Sequence, residues 1–346
     1  MRVGITYDLK SDVPAPAGAP DDYQEEYDSP VTVEAVATVL RGLGHEVTKL
    51  GDGRPLLQRL LTDPPDFVFN FAEGQGIGRS REARVPAVLE MLGIPYTGSD
   101  PLTLAVTLDK DCAKRLVEAV GVKAPRSALW QPREDLHDLE SRSYLPYTAI
   151  VKPAWEGSSK GIRGRCVVDT IEECIAAIER LRKEHDQPIL VEEYIEGDEL
   201  TVGVIGNDPP RVIGVMRVLP QQPTARFVYS LEVKRDWQRQ VTYECPARLP
   251  PGRLKAVEDA ALRAYKALGC RDVARVDFRL RDGIPYFLEV NPLPGLNPES
   301  GDLVILSQLA GLTYDQLIGG IFQAALDRHA GIAPTATVTT GTANLL

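Results

Sequence analysis

Short apolar segments alternate with amphipathic ones along the first hundred residues. Three apolar segments are rich in β-branched or aromatic side chains, which is typical of strands: Arg2–Tyr7, His45–Leu50 and Asp66–Phe71. Helical patterns begin at Val33 and Arg81, and the second ends at Gly93, a residue type that often terminates helices. This alternation predicts a parallel sheet with helices on its faces. Residues 11–29 interrupt it, and their Pro, Ala and acidic content predicts a long mobile loop.

The pattern changes after about Gly98. Up to residue 206 the sequence predicts a helix from Lys110, a strand over Tyr147–Pro153, a helix with one apolar stripe over 171–184, and two strands around a turn within 187–206. Beyond it, the sequence predicts β structure over 210–218, a helix over Pro251–Leu268, a β-hairpin of segments 273–280 and 285–291, and a helix over Tyr314–His329. Residues 331–346 are rich in Thr and Ala without a clear period, which predicts a disordered tail.

Composition narrows the class of protein. A chain of 346 residues predicts two or three domains, and a net charge of −10 argues against nucleic-acid binding. No apolar run has the roughly 20 residues needed to cross a bilayer. The five cysteines form no CxxC pair, which favours reduced thiols and the cytoplasm. The four histidines are isolated in the sequence, which argues against a zinc site and against a histidine-based triad.

The predicted hairpin carries three oxygen-bearing side chains. Asp277 lies at the centre of its first segment, and Glu289 and Asn291 end the second. Pairing of the two segments would bring both carboxylates side by side, with Asn291 on the same face. Two carboxylates and an amide oxygen suit Mg²⁺, which also coordinates substrate phosphates. Three polar residues on a solvated sheet face remain an equally good interpretation of this pattern alone.

A lysine and a Gly/Ser loop form the second group. Lys152 ends a predicted strand, and the loop after it contains Gly157, Ser158, Ser159 and Gly161. The lysine could hold a phosphate as a point charge while the loop supplies backbone and hydroxyl donors. Most loops of this composition are only turns. Lys110 at a predicted helix start is a second candidate, although a solvated lysine is the simpler interpretation there.

The segment VEEYIEGDE, residues 191–199, combines acids with apolar side chains. Glu192, Glu193 and Glu199 surround Ile195 in an extended stretch that could face a nucleobase and bind ribose hydroxyls. Without other support, a solvated acidic turn is the better interpretation.

The sequence GQGIGR, residues 74–79, imitates a dinucleotide-binding motif. The GxGxxG spacing would need glycine where Arg79 stands, and the segment follows the third strand rather than the first. We therefore expect these glycines to let backbone amides, or Arg79 and Arg81, approach an anionic substrate.

The motifs together resemble the ATP-grasp superfamily and, within it, the D-alanine–D-alanine ligase family. The resemblance runs from Arg2 to about Ala325. Its most specific parts are IVKPAWEGSSKGI, LVEEYIEGDELTVGVIG, ARVDFRL and FLEVNPLPGLNPES, supported by IPYTGSDPLTLAVTLDK. It implies an α/β protein with the ATP-grasp fold in three α/β domains. These are an N-terminal parallel-sheet substrate-binding domain (1–103), a central lid domain (104–205) and a C-terminal mixed-sheet catalytic domain (206–330), before the tail (331–346).

The resemblance also implies a role for each motif residue. Phosphates of ATP would contact Lys110, Lys152, Ser158, Ser159 and, less securely, Lys234. The adenine would border Glu192, Glu193 and Ile195, and the ribose would bind Glu199. Two Mg²⁺ ions, for which Mn²⁺ could substitute, would be held by Asp277, Glu289 and Asn291. The substrate carboxylate would face Gly295, Asn297 and Ser300, and Arg275 would stabilise the oxyanion.

The implied reaction joins a carboxylate to an amine through an acyl phosphate, with small amino-acid-like substrates and, by family, a homodimer. The first domain departs from the family pattern, because Glu73 stands where a histidine is usual. Glu73, Arg79 and Arg81 are therefore expected to line the substrate pocket without necessarily selecting D-alanine. Two alternatives stay open: an ATP-grasp enzyme that uses another nucleophile, and a nucleotide-binding regulator of the same fold.

Overall fold

The structure, a computed structural model, describes residues 1–134, 136 and 148–330. The predicted tail at 331–346 and Tyr147, the first residue of a predicted strand, lie outside the described residues. Three separate β-sheets organise the described chain, with three, four and five strands. No described helix is long and apolar enough to cross a membrane.

The N-terminal sheet is parallel, as the alternating pattern predicted. Its strands, in the order β2-β1-β3, are β1 (Arg2–Thr6), β2 (Glu46–Lys49) and β3 (Phe67–Asn70). The accompanying helices are α1 (Pro30–Gly42), α2 (Gly53–Thr62), α3 (Arg84–Leu92) and α4 (Pro101–Leu108), with a short 3₁₀ turn at Arg81–Ala83. The hydroxyl of Ser29 caps α1, and Gly93, with φ +67°, ends α3 in the left-handed conformation that glycine tolerates.

The central sheet is antiparallel and follows helix α5 (Lys110–Ala119). Its strands, in the order β4-β7-β5-β6, are β4 (Ser127–Trp130), β5 (Ala149–Pro153), β6 (Val167–Val168) and β7 (Ile189–Glu193). Helix α6 (Ile171–Glu184) covers one face of this sheet and buries Cys174, Ile178 and Leu181. These three residues belong to the predicted apolar stripe, so that prediction is confirmed.

The third sheet is antiparallel and has the order β10-β9-β8-β11-β12. Its strands are β8 (Asp198–Ile205), β9 (Arg211–Pro220), β10 (Val241–Glu244), β11 (Val273–Arg281) and β12 (Ile284–Asn291). The remaining helices are α7 (Leu231–Arg235), α8 (Trp237–Gln240), α9 (Pro251–Ala267), α10 (Asp302–Leu309) and α11 (Tyr314–Ala330). Strand β8 pairs with β9 and β11, so the change of sheet falls between residues 193 and 198. The predicted domain boundaries stay predictions.

The predicted hairpin of β11 and β12 is confirmed. Asp282 and Gly283 both have positive φ, +54° and +80°, as a tight two-residue hairpin turn requires. Asp277 pairs directly with Glu289, and Arg275 pairs with Asn291. A β-bulge follows Asp277 at Phe278, a feature that often re-aims side chains next to functional sites.

Helix α11 joins the N-terminal and third sheets in one hydrophobic core. Phe322 on this helix packs edge-on against Phe67 of β3, and the same cluster includes Ile205 and Val273 of the third sheet. This shared core fixes the N-terminal sheet beside the ends of β11 and β12, where the candidate site lies.

Candidate active site

Two cavities meet at the end of the β11–β12 hairpin. The inter-sheet cavity lies between the central and third sheets and is lined by residues such as Ile195, Glu199 and Asp277. The N-terminal cavity lies beside the loops of the first domain. Arg275 and Glu289 line both cavities. A molecule in one cavity can therefore meet a molecule in the other at these two side chains.

A buried ion-pair triad lies against the inter-sheet cavity, and two of its members, Lys152 and Glu192, line it. Glu192 is 1% exposed and binds Lys152 Nζ at 2.5 Å through Oε1 and Lys114 Nζ through Oε2. Burial alone would raise the pKa of Glu192, but the two lysines hold it below its usual value. Burial also lowers the pKa of Lys114, to about 8. The triad carries one net positive charge when fully ionised, which suits an anion.

The other predicted nucleotide residues surround the same cavity. Ile195 is buried, and Glu193 binds Arg281 at 2.8 Å. Glu199 forms an ion pair of 2.7 Å with Arg279. Lys234 lies 3.8 Å from an oxygen of Asp302 on α10. All four predicted residues therefore stand in one cavity, although their chain positions span more than forty residues.

The carboxylate pair has the chemistry of a magnesium site. Glu289 and Asp277 are cross-strand partners, and Asn291 Nδ2 lies 3.4 Å and 3.3 Å from their respective oxygens. Burial opposes ionisation of Glu289, but Lys110 and Arg275 outweigh it and lower its pKa. Among the described residues, no three His, Cys, Asp or Glu side chains group as metal ligands. Two carboxylates and an amide are side-chain types that can hold Mg²⁺ together with phosphate and water, and here the amide presents its Nδ2 to the carboxylates.

Arg275 is held in place by carboxylates on both sides. Its guanidinium binds Asp277 at 2.9 Å and Asp302 at 3.1 Å. Burial would lower the pKa of Arg275, but these acids raise it, so the side chain stays charged. Lys110 lies close by, with Nζ 3.3 Å from Glu289 and in contact with the carbonyl oxygen of Glu156.

The Gly/Ser loop borders both cavities. Ser159 lines the inter-sheet cavity and Ser158 the N-terminal one. Their φ angles, +59° and +47°, lie in the left-handed region that non-glycine residues rarely adopt, a conformation found mostly at functional sites. Two carboxylates of residues 11–29, the acidic loop, accept hydrogen bonds from the amides on either side: Glu26 from Gly157 at 2.8 Å and Asp22 from Gly161 at 2.9 Å.

The residues predicted to line the substrate pocket divide into three groups. Glu73 lines the N-terminal cavity, and Asn297 and Ser300 line an adjoining opening with Gly295. Arg81 is 1% exposed and lies behind the N-terminal cavity, where it binds Glu26 at 2.7 Å. Arg81 is therefore engaged in a buried ion pair.

Arg79 lies outside both cavities. Its guanidinium instead binds Asp109 at 2.6 Å, and more than half of its side chain is exposed. Gly74 has φ +76° and lies directly against the backbone of Arg81. Residues 75–80 therefore form a loop that leaves the cavity and returns to it.

Sequence reasoning missed several residues that the structure brings to the site, and three of them show why. Lys114 lies four residues after Lys110 on α5, a spacing that places both on one helix face and could have revealed it. Asp302 and Glu26 bind Arg275 and Arg81 across 27 and 55 residues of chain. No local signal marks such distant partners.

Comparison with known proteins identifies the family to which the chain belongs. A family model described as the D-Ala–D-Ala ligase C-terminus matches residues 117–323. The D-alanine–D-alanine ligase of Aquifex aeolicus is 34% identical over 290 residues, covering 83% of this chain and 92% of its own. An uncharacterised protein, y4sG of Sinorhizobium fredii, is also 34% identical, over 86% of this chain and 88% of its own.

The fold agrees with these relatives. The structure of D-alanine–D-alanine ligase from Bacillus anthracis complexed with ATP superimposes with a TM-score of 0.73 at 24% identity, covering 95% of this chain and 98% of that one. The fold and site therefore define an ATP-grasp protein, and the predicted fold class is confirmed. The chain belongs to the D-alanine–D-alanine ligase family, a family of ATP-dependent ligases.

Proposed function

We propose that the protein joins the carboxyl group of one amino-acid-like substrate to the amino group of another, with ATP in the inter-sheet cavity and the amino acids in the N-terminal cavity. The observation that carries this proposal is the junction of the two cavities at Arg275 and Glu289. A γ-phosphate reaching the junction from one side would meet a substrate carboxylate from the other. In-line phosphoryl transfer requires this kind of positioning.

The residues around the inter-sheet cavity suit the parts of ATP. Ile195 would pack on the adenine between Glu192 and Glu193, and Glu199 would accept hydrogen bonds from the ribose. The lysines at positions 110, 152 and 234, with the serines at 158 and 159, would bind the phosphates. Two Mg²⁺ ions, or Mn²⁺, held by Asp277, Glu289 and Asn291 would neutralise charge on the phosphate oxygens.

The reaction would take two steps. An oxygen of the first carboxylate attacks the γ-phosphorus, the bond to the bridging oxygen of ADP breaks, and an acyl phosphate forms. The second substrate's amine attacks the acyl carbon, loses a proton, and phosphate leaves. Arg275 would stabilise the oxyanion of the tetrahedral intermediate, helped by the Gly295 amide. Asn297 and Ser300 would orient a carboxylate of the second substrate.

Identity to named relatives suggests the product. The Aquifex relative is a D-alanine–D-alanine ligase, so D-alanyl-D-alanine or a related dipeptide is the proposed product. The test is phosphate release from Mg·ATP with pairs of L- and D-amino acids, with product masses read in parallel. We expect release to depend on an added amino acid and to match dipeptide formation. Tight ATP binding without amino-acid-dependent release would favour a nucleotide-binding regulator instead.

Compartment and assembly complete the proposal. The odd number of cysteines, all free in the structure, suits a reducing cytoplasm. A homodimer is proposed from the family resemblance alone. Sedimentation or size-exclusion chromatography with light scattering measures the assembly directly, and a monomeric mass would contradict it.

A further inference from the structure

Asp302, in the first turn of α10, connects two cations of the site. Its Oδ2 lies 3.1 Å from Nη1 of Arg275 and 3.8 Å from Nζ of Lys234. Arg275 is the group proposed to stabilise the oxyanion, and Lys234 is one of those proposed to bind the phosphates. No other described acid lies within ion-pair distance of Lys234. One carboxylate thus holds two cations that serve different parts of the proposed reaction.

A pair of tyrosines stands behind this carboxylate. The hydroxyl of Tyr229 donates to Oδ1 of Asp302 at 3.0 Å, and the hydroxyl oxygens of Tyr229 and Tyr243 are 2.5 Å apart. A phenol has one hydrogen to donate, and that of Tyr229 is used on Asp302, so Tyr243 donates to Tyr229. Burial raises the pKa of both tyrosines, so both stay protonated and keep this direction of donation. The two oxygens of Asp302 are therefore divided, one for the tyrosines and one for the cations.

Tyr229 also contacts the other groups around the phosphate position. Nζ of Lys234 lies over its ring, 5.2 Å from the ring centre, which is within the range of a cation–π contact. Its backbone carbonyl accepts a hydrogen bond from the Ser159 hydroxyl at 3.2 Å. Tyr243 on β10 and Asp302 on α10 hold its hydroxyl from two further elements. The Gly/Ser loop, α7 and α10 are therefore joined through one side chain and its backbone.

The other acids bound to Arg275 have a second proposed task. Asp277, at 2.9 Å, and Glu289, at 3.7 Å, are also the proposed ligands of Mg²⁺. Oxygens that hold a dication bind a guanidinium less well, because the two cations repel each other at short range. Asp302 has no such task, so it is the anchor that Arg275 would keep when the metal binds.

We propose that Asp302 is a positioning residue for the reaction: backed by Tyr229 and Tyr243, it holds Arg275 toward the substrate carboxylate and Lys234 toward the transferred phosphate. This inference rests on the proposed function, because it assigns a role within the same site. Cations fixed in advance act on charge that develops in the transition state, so loss of Asp302 should affect the transition state more than nucleotide binding. An acid that only stabilised the start of a helix would change stability and leave this ratio unaltered.

Two conservative variants test the inference by kinetics. Asp302→Asn keeps the shape of the side chain but removes the charge that holds the two cations, so kcat should fall about 10- to 100-fold. Tyr243→Phe should lower kcat about 2- to 10-fold by loss of one neutral hydrogen bond, although Tyr243 lies outside the lining of both cavities. In an Asp302→Ala background, Tyr243→Phe should have no further effect, because it acts through that acid. An unchanged kcat in Asp302→Asn, or effects of the two positions that simply multiply, would overturn the inference.

Matched controls separate positioning from stability. Asp315→Asn removes an exposed acid from the first turn of α11, as Asp302→Asn does from that of α10. Tyr265→Phe removes a buried hydroxyl that donates to the carbonyl oxygen of Gly206 at 2.9 Å, away from the site. Both controls should keep the wild-type kcat even where Tm falls, and a thermal melt of each variant verifies folding. A kcat that only follows Tm across variants and controls would show that Asp302 has a structural role alone.

A binding measurement decides the inference without turnover. Fluoroaluminate with Mg·ADP imitates the phosphoryl group in transfer, so wild type and Asp302→Asn are compared by titration calorimetry with Mg·ADP alone and with fluoroaluminate added. We expect Asp302→Asn to lose at least about fivefold more affinity for the fluoroaluminate complex than for Mg·ADP. Equal losses, or no binding of fluoroaluminate by the wild-type protein, would contradict the positioning role.

Turnover and binding together separate this inference from the proposed function. Amino-acid-dependent phosphate release that Asp302→Asn leaves unchanged would support the ligase chemistry and overturn the positioning role. A selective loss of fluoroaluminate binding in Asp302→Asn, without amino-acid-dependent release by the wild-type protein, would support the positioning role and contradict the ligase chemistry. Release by wild type that falls in Asp302→Asn together with fluoroaluminate affinity supports both.

Discussion

The ionisation of Glu82 couples stability to pH. Burial, aided by Glu26 and Glu156, raises its pKa to about 8 in the folded state, against about 4.3 in an unfolded chain. Below the unfolded value both states hold the proton, so the stabilising effect of the protonated group is fully present. As the pH rises toward 8, the unfolded state loses the proton first, and that stabilisation is lost.

Glu82→Gln should therefore become more stable relative to wild type as the pH rises. Glutamine cannot ionise in either state, so the difference in Tm, variant minus wild type, should grow from pH 5 to pH 8.5. Thermal melts of ligand-free protein measure it. Glu118→Gln should follow wild type throughout, because its side chain is exposed. A Glu82→Gln difference that stays constant over this range would contradict the buried, unpaired carboxyl.

Neighbouring glutamates offer a second test at this scale. Glu192 is buried between two lysines, whereas Glu193 binds Arg126 and Arg281 nearer the surface. Glu192→Gln leaves buried lysines without their counter-ion and should lower the free energy of unfolding by about 3–5 kcal/mol. Glu193→Gln should cost about 0–1 kcal/mol. Denaturant unfolding compares them, and similar losses would refute the assigned difference in burial.

Some residues of the site follow from sequence and others do not. Asp277, Glu289 and Asn291 could be predicted together because strand side chains repeat every two residues and the turn fixes the register. Asp302 and Glu26 could not be, because their partners lie far away in the chain. Arg81 shows the limit most clearly: the sequence predicted it as a residue of the substrate pocket, but its burial against Glu26 depends on a loop without regular structure.

At the scale of elements, the positions of strands were easier to predict than the strands with which they pair. The segment 187–206 predicts two strands around a turn, and β7 and β8 are present. They nevertheless belong to different sheets. Gly197 between them has φ +133°, and a Cβ there would lie 2.1 Å from the carbonyl oxygen of Leu280 on β11. The chain thus leaves one sheet by passing against the other, a contact that no local pattern encodes.

The acidic loop packs against the Gly/Ser loop and hydrogen-bonds to its backbone. Asp22 is 1% exposed, accepts a hydrogen bond from the Gly161 amide and lies 3.2 Å from Arg163. Arg235 of α7 binds the same acidic loop through Asp21 and Glu25. The acidic loop therefore holds the strained segment at Ser158 and Ser159 in place over the site.

Removal of this contact should weaken ATP binding. Asp22→Asn loses a charged acceptor worth about 1.5–3 kcal/mol, so KM for ATP should rise about 10- to 100-fold. Amino-acid-independent ATP hydrolysis should also increase, because a looser loop admits water. Asp12→Asn is the control, since Asp12 is exposed in the same loop and its carboxylate accepts a hydrogen bond from the neighbouring Ser11 hydroxyl. Steady-state kinetics decides: unchanged KM and background hydrolysis in Asp22→Asn would contradict the contact's role.

At the scale of the whole molecule, the site lies where three sheets meet, so ligands should stabilise the assembly of domains rather than one domain. The inter-sheet cavity takes its lining from both the central and third sheets, and the N-terminal cavity adds the first domain. A ligand that binds only the folded chain stabilises it by about 2.7 kcal/mol at 100 times its Kd. Mg·ATP should accordingly raise Tm by several degrees.

Magnesium and nucleotide contributions can be separated. ATP with EDTA should raise Tm less than Mg·ATP does, because the carboxylates at positions 277 and 289 then repel the phosphates without a bridging cation. In Glu289→Gln this difference between Mg·ATP and ATP with EDTA should largely disappear, since one metal ligand is lost, while Glu118→Gln should retain it. Differential scanning calorimetry measures both ligand conditions for wild type and for the two variants. An undiminished magnesium effect in Glu289→Gln would show that the cation binds elsewhere, and the hairpin would then serve only to position Arg275.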